Sequence, residues 1–353
     1  MRAVVAENLG TWREVLKLTD LPPIDAIPPE ALHVRVTSCG MGFPDLLQVE
    51  GKYQLKAEPP FVPAGYVTGE VLGLGSEVDP GSFNVGDRVV GNAVPDSKGH
   101  MRGGLAEEAL LHAGLAVHVP DFMSDPVVLA MHDNYWDVHN GISTCGRVGP
   151  GDTLLVLGAS GACGMAAVDL GKALGARVVA CASNSEKLEA CRRAGADEVL
   201  DYGKDADYDT FLATLKEAGL YGKLSVVFDP VGGGYGEAAF RAMARAGRYV
   251  LFGFASGGTD PKSAFPNFPI NLLLMKGQQL LGSMDSSRGE KIDEMFQMVK
   301  EGRLRPGAGA VMGSAPAYTL DHFLDAFGAI ANRKAIGKVV VQIDPAAANP
   351  MPR

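Results

Sequence analysis

The sequence predicts an α/β protein in two parts: a doubly wound, parallel, six-stranded sheet and a smaller β domain that is partly barrel-like. Three observations carry this. Between residues 122 and 302, short buried-type runs alternate with helical spacers, the pattern of a parallel sheet covered on both faces. Up to residue 121, runs of four to eight residues rich in Val and Leu are each closed by Gly or Pro. The 353 residues, 46% hydrophobic and 21% charged, suffice for two cores and exclude a disordered chain. Glycine, at 45 residues, is well above the usual ~7%. It has no three-residue period, so it signals tight turns rather than collagen.

The β domain is read from LHVRV (32–36), PFVPAGYVTGEVLGLGSEV (60–78), GDRVVG (86–91) and GGLAEEALLH (103–112). The text then changes at Ser124, a candidate N-cap followed by Asp125 and Pro126 in the first turn of a helix. TLLVLG (153–158) leads to a helix over 164–174, and RVVACA (177–182) to one around 185–194. EVLDY, LSVVFDPVGG, RYVLFGF and QLLGS supply four more strands. After Pro306 come short turns, a helix around 320–332 and a last strand, KVVVQI. This tail resembles the first part and is expected to rejoin it, giving a β-rich substrate domain of 1–121 with 306–353 and a dinucleotide domain of 122–305.

The first strand of the alternating region runs through Gly158-Ala159-Ser160-Gly161-Ala162-Cys163-Gly164 into a helix. This is a dinucleotide fingerprint, A-x-G-x-x-G, with alanine at its first position. Gly161 lets the backbone approach a pyrophosphate, Gly164 lets the helix lie close to the sheet, and the helix N-terminus offers free N–H groups to the anion. Ser160, Ala162 and Cys163 complete the turn. An NAD site wants a carboxylate at the end of the second strand, about twenty residues on. Here stand Cys181, Ala182, Ser183 and Asn184, with Glu186 and Lys187 beyond. The Ser183 hydroxyl and Lys187 ammonium suit a 2′-phosphate, which favours NADPH/NADP+; the competing reading of Lys187 is a solvated helix-face lysine.

Across FPDLLQVEGKY (43–53), GDRVVG (86–91), VGPGDTLLVLGASGACG (148–164), GKALGARVVA (171–180), RRAGADEVLDY (192–202), FDPVGG (228–233) and RKAIGKVVV (333–341), the chain resembles the zinc-independent quinone oxidoreductase branch of the medium-chain dehydrogenase/reductase superfamily. The resemblance implies a bilobed fold of a Rossmann domain and a GroES-like β domain with the substrate cleft between them, NADPH specificity, and a homodimer. It places Lys187, Tyr202 and Arg333 where the family grips the 2′-phosphate. The zinc alcohol dehydrogenases of the superfamily bind metal through a Cys and a His; Gly42 and Tyr66 occupy those positions here, and neither ligates zinc, so no metal is expected.

The resemblance makes Tyr53 a candidate hydrogen-bond or proton donor, against the reading of a packed surface tyrosine. Phe43, Phe252, Phe254 and Met284 are read as walls of an apolar slot or as ordinary core, with Phe252, Gly253 and Phe254 on the cofactor side. Asp137 stands where relatives carry a threonine near the nicotinamide. Ionised, it would favour the cationic oxidised ring; protonated, it could donate a proton. His132, Asp133, Asp137 and His139 also invite a metal reading, but on a regular helix 133 and 137 share one face and 132 and 139 another. A polar cleft lining that includes His139 is preferred. Gly42, Tyr66 and Asp137 are all departures from the family pattern, and they fall in the expected substrate cleft.

The expected function is therefore a zinc-independent, NADPH-dependent reductase of quinones, enones or other conjugated carbonyl compounds. Two alternatives stay open: an NADP(H)-retaining enzyme with an internally balanced elimination or isomerisation, and a cofactor-binding redox sensor. A net charge of −9 without a basic block argues against nucleic acid and anionic membranes. Five scattered cysteines without a C-x-x-C, no long apolar stretch and only a short apolar run at the N-terminus point to a soluble chain in a reducing cytoplasm. The partners expected are a small-molecule substrate and a second copy, paired through the apolar last strand of the parallel sheet.

Overall fold

The computed structural model describes residues 1–54, 56–203, 207–257, 264–283, 290–306 and 318–344. The chain divides into two compact units, Met1–Asp133 with Val311–Arg353, and Asn134–Ala310.

In the second unit six strands form one parallel sheet. In chain order they are Thr153–Val156, Arg177–Ala182, Glu198–Asp201, Leu224–Asp229, Met243–Leu251 and Gln279–Gly282, and their spatial order is 3-2-1-4-5-6. That is the Rossmann order, in which the direction of stepping across the sheet reverses between the first and fourth strands. Both faces are covered. Leu155, Val179, Val227 and Tyr249 enter one cluster with Phe211 and Leu215 of the helix Tyr208–Glu217 and Ala238 and Phe240 of the helix Gly233–Ala242. Their neighbours Leu154, Val178, Val226 and Val250, pointing the other way, are equally buried. On that face Gly171 of the helix Ala162–Ala173 sits so close that an added Cβ would lie 2.7 Å from Leu154.

In the first unit a seven-stranded sheet is built around the long strand Ala31–Met41, which pairs antiparallel with Tyr66–Leu74, Glu108–His112 and Val339–Gln342. A bridge between Ala93 and Leu111 brings the chain after Arg88–Asn92 back to Glu108–His112, which partly closes the sheet. The strand Val339–Gln342 thus joins the tail to this unit, register Val339↔Met41 to Gln342↔Ser38. A two-stranded sheet, Arg2–Ala6 with Leu16–Asp20, and the helix Phe323–Ala331 share its larger core, where Trp12 stacks on Phe327 at 5.9 Å.

The helical stretch after Ser124 differs from the expected regular helix. It is an α-helix over Asp125–Ala130, a π-helix over Met131–Tyr135, an α-helical turn Trp136–His139 and a second π-helix Asn140–Cys145. Ser124 is the N-cap residue, but its hydroxyl caps nothing. The wide turns alter which side chains share a face, so the spacing argument for 132, 133, 137 and 139 does not transfer. Tyr135, fully buried, donates its hydroxyl to Asp169 at 2.7 Å, and the Arg305 amide donates to the same carboxylate at 3.0 Å. Burial lifts the Asp169 carboxyl to about 6, while those two donors pull it down.

Candidate functional site

The glycine-rich turn is built from the end of the first parallel strand. Gly158 has φ +57, a left-handed conformation that suits glycine, and this folds the chain so that the Ala159 amide donates to Cys181 of the second strand at 2.9 Å. Gly161 is the N-cap of the helix Ala162–Ala173, and its carbonyl accepts from Met165 at 2.8 Å. The amides of Ala162, Cys163 and Gly164 open that helix and so have no helical carbonyl behind them. The two fingerprint glycines do different work. A Cβ at Gly164 would lie 2.3 Å from the Gly158 oxygen and 2.6 Å from Ala159 Cα, whereas one at Gly161 would meet nothing nearer than 3.5 Å. Gly164 is required by the turn itself, and Gly161 keeps open the space over the helix N-terminus.

The second strand ends at Ala182. Ser183 is half-buried, and Asn184 caps the helix Ser185–Arg193 by accepting from the Lys187 amide at 2.9 Å. The polar pattern at this strand end therefore has a local cause, the cap. It leaves Lys187, half-buried, in the first turn. The Tyr202 amide donates to Ala182 at 3.2 Å, so Tyr202 stands beside Ser183 at the carboxyl ends of neighbouring strands, its ring 4.7 Å from that of Tyr235. Phe252 and Gly253 follow the fifth strand, both amides donating to Asp229, and Phe252 packs on Phe228 at 4.8 Å while Phe254 packs on Phe265 at 4.6 Å. Asp229 is fully buried; its carboxylate accepts from the amides of Val231 and Gly232 at 2.7 and 2.8 Å and from the Tyr249 hydroxyl, which fixes the loop after the fourth strand. Asp137 and His139 are half-buried on the Trp136–His139 turn. Met284 lies outside the described residues.

In the first unit, Gly42 is extended (φ −146, ψ −178) and caps the helix Phe43–Val49, its amide donating to Asp45 Oδ2 at 2.7 Å. Phe43 packs against the main core of this unit. Tyr53 is half-buried in the turn after that helix, its amide donating to Leu47 at 3.2 Å. Tyr66 begins the strand Tyr66–Leu74, edge-on to His132 at 6.0 Å. Arg333 is exposed, with φ +53, in the turn after the helix Phe323–Ala331. Two candidate residues, Gly42 and Tyr66, come together around a residue that sequence reasoning passed over: Lys338. Its side chain is 1% exposed, its Nζ is ion-paired with Asp133, and that Nζ lies 5.6 Å from the Tyr66 ring centroid. A Cβ on Gly42 would lie 3.9 Å from it. Burial raises the Asp45 carboxyl, and the Lys338 ammonium and the Gly42 amide pull it back. Burial also pushes the Cys39 thiol up, away from reactivity. The available signal was a lysine opening an apolar strand, and Asp45 was hidden as an ordinary first-turn acid.

The sequence of the first unit matches the alcohol dehydrogenase GroES-like domain over residues 28–121, and that of the second the zinc-binding dehydrogenase family over 162–301. The quinone oxidoreductase-like protein 2 homolog of Nematostella vectensis is 33% identical over 350 residues, covering 96% of this chain and 88% of the relative. The chain belongs to the quinone oxidoreductase branch of the medium-chain dehydrogenase/reductase superfamily. As a medium-chain dehydrogenase/reductase it is an enzyme of the oxidoreductase type. A mycobacterial protein of this fold, solved in complex with NADPH, is 27% identical with a TM-score of 0.79, over 97% of this chain and 99% of that one. The quinone oxidoreductase of Thermus thermophilus, solved alone and with NADPH, is 27% identical with a TM-score of 0.72, over 97% and 100%. Although one matched family carries zinc in its description, among the described residues no group of three His, Cys, Asp or Glu side chains is placed to hold a metal ion. The His132–His139 stretch is engaged otherwise: His132 Nε2 lies 3.1 Å from the Leu115 carbonyl and Asp133 holds Lys338. A buried ammonium beside Gly42 and Tyr66 would also repel a dication, so zinc does not fit these residues.

Proposed function

We propose that the chain is an NADPH-dependent reductase of quinones, enones or other conjugated carbonyl compounds that works without zinc. The observation that carries the reading is the end of the second parallel strand. There Ser183, the Asn184 cap and Lys187 stand where an NAD site needs a carboxylate, beside a glycine turn that opens a helix N-terminus. The residues fit the cofactor. The amides of Ala162, Cys163 and Gly164 would take the pyrophosphate, and Ser183, Lys187 and Tyr202 the 2′-phosphate. Phe252, Gly253 and Phe254 would support the nicotinamide end, with Asp137 and His139 as its polar neighbours. When bound, NADPH supplies hydride to the conjugated system.

Supporting a homodimer, the strand Gln279–Gly282 is at the sheet edge, with Leu280 40% exposed, and the preceding helix Asn271–Lys276 leaves Leu274 87% exposed. Five free thiols agree with a reducing compartment such as the cytoplasm, and no described helix is long and apolar enough to cross a membrane. The test is a fluorescence titration with NADPH and NADH. NADPH should bind at least about tenfold more tightly, since a charge-assisted phosphate contact contributes ~1.5–3 kcal/mol. Equal affinities would overturn the cofactor assignment.

A further inference from the structure

Resting on the NADPH reading above, we propose that Asp229 and Tyr249 are a positioning pair for the nicotinamide half of the cofactor site: without touching the cofactor, they hold the two loops that form its wall. The pair and both loops lie within the Asn134–Ala310 unit. Asp229 ends the fourth parallel strand, Tyr249 stands in the fifth, and both are fully buried. Tyr249 packs in an otherwise apolar cluster with Leu155, Val227 and Phe240. Burying a carboxylate there costs free energy that only good hydrogen bonds offset, and apolar side chains would fill the space without that cost. Such departures from apolar packing are expected where they serve a functional site.

The bonds of the pair run to two loops. Asp229 Oδ1 accepts from the Val231 and Gly232 amides at 2.7 and 2.8 Å, and Oδ2 accepts from the Tyr249 hydroxyl. Burial raises this carboxyl, and the hydroxyl and the two amides pull it back. The carbonyls of the same segment then carry the second loop. Asp229 accepts from the Phe252 and Gly253 amides at 2.9 and 3.1 Å, Pro230 from Ala255 at 3.0 Å, and Val231 from Ser256 at 2.9 Å. Two glycines make room for this arrangement. A Cβ at Gly236 would lie 2.6 Å from both Asp229 Oδ2 and the Tyr249 hydroxyl oxygen, and one at Gly232, which has φ +73, would lie 2.5 Å from the Ala264 carbonyl oxygen. The loops after the fourth and fifth strands are thereby tied into one piece, with the Asp229 carboxylate at its root.

The place of these loops gives the pair its role. In a sheet of order 3-2-1-4-5-6 the ligand crevice lies outside the carboxyl ends of the strands, where stepping reverses between the first and the fourth. Val231 packs at that point: a Cβ on Gly158, in the glycine-rich turn, would lie 2.8 Å from its Cγ2. Ser183, Lys187 and Tyr202, assigned above to the 2′-phosphate, follow the second and third strands on one side of the reversal. Residues 230–232 and 252–256 follow the fourth and fifth strands on the other side. A dinucleotide laid across the crevice with its 2′-phosphate on the first side has its nicotinamide half on the second. Asp229 and Tyr249 therefore set the wall that orients the nicotinamide ring, where a misplacement of about 1 Å costs ~10²-fold in rate.

The experiment titrates the whole chain by calorimetry with NADPH and with adenosine 2′,5′-bisphosphate, the adenine-side fragment, and records the melting temperature of each variant. Asp229→Ala should lose at least about tenfold in NADPH affinity, the scale of one charge-assisted hydrogen bond, and stay within about threefold for the fragment. Asp229→Asn, whose side-chain oxygen can still face both amides, should hold NADPH within about threefold of the wild type. Leu215→Ala, in the same core but on the helix Tyr208–Glu217, should melt lower and keep both affinities. With an acceptor that the wild type reduces, Asp229→Ala should lose ~10²-fold in kcat at saturating NADPH. Should Asp229→Ala fail to fold, Tyr249→Phe, which removes one donor and keeps the amide bonds, should show the same split between the two ligands. If the wild type binds neither ligand, the cofactor reading falls and the proposal with it. If it binds both but consumes no NADPH with any acceptor, the reductase reading falls, and the affinity split still decides the role of the pair. An alanine variant that weakens both ligands alike, or neither, or an Asp229→Asn protein as weak as Asp229→Ala, overturns the proposal alone.

Discussion

Gly161 and Gly164 are three residues apart in one turn, and a side chain at each would meet different surroundings. Gly164→Ala puts a Cβ 2.3 Å from the Gly158 oxygen and 2.7 Å from the Ala159 carbonyl carbon. Both are backbone atoms, so the turn must move. Overpacking of this kind costs ~1–3 kcal/mol, and the helix propensity gained on replacing glycine returns at most ~1 kcal/mol. The net loss, up to ~3 kcal/mol, should lower the melting temperature of the Asn134–Ala310 unit by up to roughly 12 °C, at ~2–4 °C per kcal/mol for a domain of this size. Gly161→Ser meets no atom nearer than 3.5 Å, keeps φ −75, and installs a residue favoured at an N-cap. Its stability should equal or exceed that of the wild type. Yet its side chain fills the space over the Ala162 and Cys163 amides, and losing two charge-assisted bonds of ~1.5–3 kcal/mol each should weaken NADPH by roughly 10²–10⁴-fold. Differential scanning fluorimetry and NADPH fluorescence read the two quantities separately. A Gly161→Ser protein that binds NADPH within about threefold of wild type would refute the assignment of the pyrophosphate to this turn.

Three further outcomes are expected. The Asp169 carboxyl sits at about 6 in the fold against an ordinary 3.8, so the folded state holds its proton more tightly. That stabilisation is complete below pH ~4 and is lost as pH rises to ~6, a change of roughly 3 kcal/mol. Asp169→Asn should flatten the melting-temperature profile across this window, and an unchanged profile would show that another group causes it. Lys187→Glu should weaken NADPH at least about tenfold and leave NADH within about threefold; parallel losses for both cofactors would remove Lys187 from the phosphate site. Leu274→Glu with Leu280→Lys should convert a dimer to a monomer in sedimentation at micromolar concentration, and a wild-type monomer would dispose of the edge-strand dimer.

The parallel sheet was legible because its central strands are short and apolar on both faces, as in Thr153–Val156 and Leu224–Asp229; Arg177–Ala182 coincides with the RVVACA run. The helix predicted over 164–174 begins earlier, at Ala162, because the fingerprint turn hands its N-cap to Gly161. The run KVVVQI contains the strand Val339–Gln342, which pairs with Ala31–Met41. What one-dimensional pattern could not show was the π-helical winding of Met131–Tyr135 and Asn140–Cys145, since an inserted residue in a turn leaves no composition signal. Lys338 was missed for a related reason. A lysine at a strand start reads as a solvated end, and only the third dimension shows Gly40 making way for its stem and Asp133, more than two hundred residues earlier, closing on its ammonium.

The most direct test of the account is anaerobic NADPH oxidation by the purified protein with quinones, enones and aromatic conjugated ketones, each product identified by mass. The account predicts one equivalent of two-electron-reduced product for every NADPH consumed with at least one of these classes. Tight NADPH binding with no consumption, or a rearranged product formed without net oxidation of the cofactor, would contradict it.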